Sequence, residues 1–157
     1  MSMRKEEYME AALDEARKAM AIGDVPIGAV IVKDGKIIAA AHNTRENGGG
    51  ATAHAELLAI NEACKRVGSW RLSGCELYVT LEPCPMCAGA VVNSRLDRVI
   101  FGVRDPRAGA FGSLLDMNSY PLGHKTEVEW GICEDESLEL IREFFRKKRT
   151  GEGDEKA

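Results

Sequence analysis

The sequence contains no run of eighteen consecutive apolar residues, and its first twenty positions alternate charged with apolar side chains. A membrane-spanning helix and a secretory signal both need an uninterrupted apolar stretch, so neither is expected and the cytoplasm is the expected compartment. A disulfide framework is not expected either. The five cysteines, Cys64, Cys75, Cys84, Cys87 and Cys133, stand in a chain assigned to a reducing compartment, where thiols stay free, so metal binding or packing must account for them. Positive charge is not in excess: 25 Asp and Glu outnumber 21 Lys and Arg, for a net charge of −4. That balance does not mark a nucleic-acid binder, and contact with a phosphate backbone would have to come from local basic clusters. Repeats and low-complexity stretches are absent too.

What is present suits one α/β domain. A length of 157 residues with 45% hydrophobic and 29% charged side chains is ordinary for a chain with a single core. Residues 1–149 read as that domain, and residues 150–157 as a disordered tail. Apolar residues at helical spacing (Tyr8, Ala11, Ala12, Ala16, Ala19, Met20) predict a helix over 5–22, stopped by Gly23. Two β-rich runs, 27–32 and 36–41, flank an Asp-Gly pair and predict a hairpin. Residues 43–51 are polar and end in three glycines, which reads as a mobile loop. A second helix is expected to be capped by Thr52, with Leu57, Ile60, Cys64 and Val67 as its stripe, ending at Gly68. Strand 76–81, helix 85–95 with proline in its first turn, and strand 98–103 predict a βαβ unit with parallel strands. Residues 105–123 read as a long loop with one helical turn near 113–116. A last strand over 125–130 and a closing helix over 136–149, buried through Leu138, Ile141, Phe144 and Phe145, complete the prediction.

Three residues stand out chemically. His54 opens one predicted helix, while Cys84 and Cys87 lie at the mouth of another. A catalytic zinc site takes three such ligands and leaves a fourth position for water. Thiols at a helix N-terminus are acidified by the dipole and bind as thiolates. Glu56, two residues after His54, is placed to act as the base: it can take a proton from a water acidified to a pKa of roughly 7 and return it to the leaving group. Separately these signals are weak, since an isolated His-x-Glu is common and an isolated Cys-x-x-Cys can be a redox pair or half of a four-cysteine site. Jointly they are specific, because no second Cys-x-x-Cys exists and His-x-Glu followed by Pro-Cys-x-x-Cys is the pattern of zinc-dependent base deaminases.

Several segments resemble one branch of that superfamily, the bacterial tRNA-specific adenosine deaminases. They are Asp24-Val-Pro-Ile-Gly-Ala-Val-Ile-Val32, Thr52-Ala-His-Ala-Glu56, Leu77-Tyr-Val-Thr-Leu-Glu-Pro-Cys-Pro-Met-Cys-Ala-Gly-Ala90, Phe101-Gly-Val-Arg-Asp105, Gly109-Ala-Phe-Gly-Ser-Leu-Leu-Asp116 and Phe144-Phe-Arg-Lys-Lys-Arg149. The resemblance implies a three-layer α/β/α fold of the cytidine-deaminase type, with a five-stranded mixed sheet between helices. It implies one zinc ion per subunit, a homodimer, and wobble-position adenosine-to-inosine conversion on tRNA, an arginine tRNA in particular. Asn43, the backbone at Ala55, Val25, Ile27 and Leu81 would then hold the flipped base. Arg104, Asp105, Phe145, Arg146 and Arg149, with Arg142, Lys147 and Lys148, match surfaces that approach the anticodon stem and loop. Without the resemblance, the basic cluster reads equally well as charge placed to suit a helix C-terminus. One departure is visible: Gly50-Ala51 stands where the family has Asp-Pro, which predicts a looser approach to the zinc helix.

Two other readings use the same residues. A deaminase of a free base or nucleoside such as guanine needs the four site residues but not the basic last helix. A nonenzymatic RNA-binding module with structural zinc needs a closed fourth ligand position and no role for Glu56.

Overall fold

Asp34 and Gly35 take φ values of 51° and 76° in the computed structural model, which describes residues 4–151. Positive φ at both central residues is what a two-residue hairpin loop requires to match strand twist. The loop joins β1 (Gly28–Lys33) to β2 (Lys36–His42) in an antiparallel pair. The other edge of β1 pairs antiparallel with β3 (Cys75–Leu81), to which β4 (Arg98–Val103) and then β5 (Glu127–Trp130) add in parallel. The order β2-β1-β3-β4-β5 is the expected five-stranded mixed sheet. Helix α3, introduced here as Pro85–Asn93, crosses between the parallel neighbours β3 and β4 as the βαβ pattern predicted.

Alternation along the strands sorts the core into two layers. Ala29, Ile31, Leu77, Val79, Val99 and Phe101 meet Ala88 and Val91 of α3 and Ala55, Ala59, Ile60 and Ala63 of α2 (Ala55–Val67). Val30, Val32, Tyr78 and Ile100 meet Tyr8, Met9 and Ala12 of α1 (Lys5–Ala21) on the opposite face. Helix α4 (Glu134–Thr150) lies on that second face, against α1 and β4. The sheet therefore sits between helices. Contact between α1 and the sheet is close enough that a Cβ on Gly28 would run into the Ala12 carbonyl and the Ala16 amide.

Several local expectations are corrected. His54, not Thr52, is the N-cap of α2. Its fully buried stripe is Ala55, Ala59, Ile60 and Ala63, while Leu57, Cys64 and Val67 are only half-buried. Small side chains face the sheet and larger ones flank the contact. The segment 43–51 is tied down rather than loose: it forms a 3-10 turn at Arg45–Asn47, and buried Asp24 accepts from the Glu46 N–H at 2.8 Å. The turn expected near 113–116 forms instead at Met117–Ser119. Asp116 caps it through the Asn118 N–H at 3.0 Å, while Ser113 is engaged elsewhere. Helix α4 starts two residues early and buries only Ser137 and Phe144. Leu138 and Ile141 are half-buried, and Phe145 is exposed. It runs through Thr150 to a Gly151 cap, so residue 150 is helical and the rest of the expected tail, 152–157, lies outside the described residues. Among the described residues no helix is long and apolar enough to cross a membrane.

Gly28→Ala should cost about 2 kcal/mol through overpacking against helix backbone. A thermal melt of the variant should show a loss of roughly 4–8 °C; an unchanged melting temperature would contradict the tight α1 contact.

Candidate metal centre and active site

Helices α2 and α3 begin at the same edge of the sheet, beyond the carboxyl ends of β2 and β3. His54 and Cys84 are their N-caps, in extended backbone (φ −82° and −74°), and Cys87 lies in the first turn of α3 behind Pro85. Proline suits that turn because its missing N–H would have found no intrahelical partner. The fold brings His54 Nδ1 to 3.7 Å from Cys84 Sγ and 3.5 Å from Cys87 Sγ. A tetrahedral zinc ion with ordinary Zn–N and Zn–S bonds would hold N and S about 3.6 Å apart, so the three donors fit that ion. A second group of possible donors, Glu10, Cys133 and Glu136, has exposed carboxylates, and Arg17 already pairs with Glu10 at 3.2 Å.

Electrostatics mark the same trio. Hydrogen bonding from the Cys87 thiol, and then from His54, pulls Cys84 down to about 4. The shared proton and burial push Cys87 up. His54 is raised chiefly by its hydrogen bond to Cys84. Two helix N-termini aim their positive ends at this point, which favours anionic sulfur once a cation replaces the protons.

Glu56, in the first turn of α2, lies within reach of the Cys87 thiol and is 3% exposed. Burial pushes its carboxyl up to about 7, against the opposing pull of its own backbone N–H and then of His54. Its Oε1 is fully buried and has no hydrogen-bond partner among the described residues. An unsatisfied buried carboxylate oxygen is costly, so in a native fold it asks for an explanation in chemistry.

The residues expected around the base share this sheet edge. Ile27 immediately precedes β1, Leu81 ends β3, and the Asn43 N–H donates to the Ile27 carbonyl at 3.2 Å. Val25, Ile27 and Leu81 are half-buried. Asn43 is 2% exposed, and its Oδ1 accepts the Ala55 N–H at 2.8 Å, satisfying an amide in the first turn of α2.

A family described as MafB19-like deaminase matches residues 3–149. The tRNA-specific adenosine deaminase of Bacillus subtilis (strain 168) is 52% identical over 143 residues, 90% of this chain and 89% of that protein. The chain belongs to the tRNA-specific adenosine deaminase family. A solved structure from work on A-to-I editing by tRNA:A34 deaminases at the wobble position of transfer RNA has a TM-score of 0.83 at 45% identity, covering 85% of this chain and 98% of that one. A guanine deaminase from Nitrosomonas europaea is more distant in sequence, with 25% identity and a TM-score of 0.80 over 92% of this chain and 86% of that one.

At the Gly50-Ala51 departure from the tRNA-specific adenosine deaminase family pattern, the approach to α2 carries backbone hydrogen bonds. The Ala53 N–H reaches the Gly50 carbonyl at 3.1 Å, and the Thr44 N–H reaches the Ala53 carbonyl at 3.1 Å. Gly50 adopts φ 89°, which only glycine takes readily. Arg104 and Asp105 follow β4 at the active-site edge, and the Asp105 carboxylate caps its own turn through the Arg107 N–H at 3.0 Å. The basic end of α4, with Phe145, Arg146 and Arg149, is exposed and joined to the metal trio by no hydrogen bond or ion pair among the described residues.

Sequence reasoning missed Glu82. This residue is 2% exposed and accepts the N–H groups of Asp105 (3.0 Å), Phe111 (3.0 Å) and Ser113 (3.2 Å), together with the Ser113 hydroxyl. Gly109 has no room for a Cβ because the same carboxylate occupies that space. The available signal was an acid between Leu81 and Pro83 with no basic neighbour in sequence. Its function is to clamp the loop after β4 to the strand that presents Cys84.

Glu82→Gln should turn an accepting oxygen into a donor facing donors and lower stability by about 2 kcal/mol. That amounts to roughly 4–8 °C in a thermal melt, and a native melting temperature would show that the clamp is unimportant. Cys87→Ser should bind zinc at least about tenfold more weakly, because hydroxyl is a poorer ligand than thiolate. Metal analysis after dialysis that finds native zinc content in this variant would remove Cys87 from the ligand set.

Proposed function

We propose that this chain converts adenosine to inosine at the wobble position of tRNA anticodons by zinc-dependent hydrolysis, releasing ammonia. The observation behind the reading is the buried Glu56 carboxyl, one oxygen of which has no partner, beside a three-donor site that fits a metal ion, in a chain about half identical to tRNA-specific adenosine deaminases. His54, Cys84 and Cys87 would hold one zinc ion per subunit, and that ion would supply the Lewis acidity that makes water a nucleophile at neutral pH. Glu56 takes one proton from the attacking water and passes it to the ring nitrogen N1, then takes the second from the new C6 hydroxyl and passes it to the amine, which leaves as ammonia as the C6 carbonyl forms. A base withdrawn from its stack is recognised by edge contacts and apolar packing. Asn43 is fixed through its Oδ1 and offers its side-chain NH2 to the purine, the backbone at Ala55 lines the same place, and Val25, Ile27 and Leu81 wall the pocket.

The RNA partner is an anticodon stem-loop, that of an arginine tRNA, approached by Arg104, Asp105, Phe145, Arg146 and Arg149. The compartment is the cytoplasm. A homodimer fits the outer faces of α2 and α3, where Leu57, Cys64, Trp70 and Ala90 border a cleft of about 350 Å³. Leu57→Glu should therefore sediment as a monomer; a native sedimentation profile would place the dimer contact elsewhere.

Zinc-loaded native protein and Glu56→Gln should be assayed on a short anticodon hairpin with adenosine at the wobble position. The native chain forms inosine, whereas the variant keeps its zinc and fold and turns over about 10²- to 10⁴-fold more slowly. Guanine supplied free should be converted far more slowly than the hairpin. The reverse preference would favour the free-base reading, and unaltered function in Glu56→Gln would favour a structural zinc module.

A further inference from the structure

Trp130 ends β5 with 47% of its surface exposed. It pairs with Phe101 of β4, and paired residues of neighbouring strands share a face, so its indole lies on the α2 and α3 side of the sheet with the metal trio. Parallel pairing also places it at the carboxyl end of the sheet, the end from which α2 and α3 start. Among the described residues no helix packs closely on this strand, and Val128, two residues earlier on the same face, is exposed as well.

The acids of β5 are turned away. Glu127 pairs with Arg98 at 2.9 Å and Glu129 with Lys5 of α1 at 2.7 Å, both on the opposite face. What approaches the indole is a cation: the Arg104 guanidinium carbon lies 5.3 Å from its ring centroid. Arg104 is itself held, with Nε donating to Ser113 Oγ at 3.1 Å. Ser113 is fixed by the buried Glu82 carboxylate, and Glu82 stands two residues before Cys84. A continuous chain of contacts therefore runs from the strand that presents a metal ligand to an exposed aromatic ring and its cation. An arginine side chain ordinarily loses much rotamer freedom when it binds; this one already makes a hydrogen bond and a ring contact.

We propose that Trp130 and Arg104 form a platform on which one unpaired base of the RNA loop stacks, with Ser113 and Glu82 as positioning residues. The inference rests on the RNA-deaminase reading and extends it to a surface outside the base pocket. An indole face and a guanidinium plane are the two side-chain surfaces on which splayed RNA bases stack, and the arginine also offers its charge to the adjoining phosphate. No acid competes on that face of β5.

The test uses zinc-loaded holoenzyme and the wobble-adenosine hairpin. Trp130→Ala should raise KM roughly tenfold, within the range for loss of one base stacked on an aromatic ring, while kcat, zinc content and melting temperature stay native. Trp130→Phe should recover most of the loss. Replacing loop nucleotides one at a time by abasic sites should reveal one position whose loss weakens native binding as Trp130→Ala does, with no further loss when the two are combined. Should Trp130→Ala fold poorly, exposed Arg104→Gln must show the same non-additivity at the same position. A native KM in folded Trp130→Ala, or strict additivity at every loop position, overturns the platform. So does conversion of a dimer to a monomer by Trp130→Ala, which would assign the ring to a second copy of the chain. Native inosine formation accompanied by any of these results sinks only the platform; no inosine from the native chain sinks the deaminase reading and the platform together.

Discussion

Two helix N-termini meeting at one edge of the sheet are the constraint on which the site depends. His54 and Cys84 are 30 positions apart, and nothing local draws them together. The antiparallel register of β1 on β3, with Ala29 opposite Val79, aligns the end of β3 with the beginning of β1 and hence with the turn that leads to α2. Small residues on the inner face of α2 let that helix settle on the sheet. Once both helices are seated, their first turns supply a positive field and a set of donors that one ion can satisfy. Repositioning either helix by a fraction of a turn would separate the imidazole from the sulfurs.

Two buried carboxylates at this edge illustrate how satisfaction, more than burial, separates structure from chemistry. Glu82 is saturated by four hydrogen bonds and holds the loop after β4 in place. Glu56 is equally buried, yet one oxygen has no partner and its carboxyl is pushed up to about 7. A group whose hydrogen-bonding capacity is exhausted can only position other groups; one kept dry and unpartnered is poised to exchange a proton. The first holds a loop against the strand it follows; the second keeps one oxygen without a partner beside the donor trio.

The sheet is also used asymmetrically. Its α1 and α4 face is closed by apolar packing and by ion pairs such as Lys5 with Glu129. Its other face is covered by α2 and α3 over the strands that lead to the His54, Cys84 and Cys87 donors, and among the described residues by no helix beyond β4. Arg104 and Trp130 stand exposed on that side, with the guanidinium 5.3 Å from the indole ring centroid. An acidic chain can meet a polyanion this way, because local charge at the point of contact matters more than the total.

Much of the fold was legible before the structure. Positive φ at Asp34 and Gly35 follows from residue type, the period of two against 3.6 separates strands from helices, and the pattern of His54, Cys84 and Cys87 singles out three donors that the fold brings together, because metal coordination admits few alternatives. Features that depend on distant partners were not legible. The cap of α2 passed from Thr52 to His54, the buried stripe moved onto alanines, and the polar loop at 43–51 was anchored by Asp24, because each outcome depends on what lies across the interface. Ser113 could not start a helical turn while Glu82, 31 positions earlier, was taking its N–H and hydroxyl. By itself the sequence determined which elements form and which atoms could bind a metal, since backbone sterics and ligand chemistry are local. Only the tertiary structure decided which carboxylate is satisfied and which is left free, because hydrogen-bond partners are chosen by proximity in space.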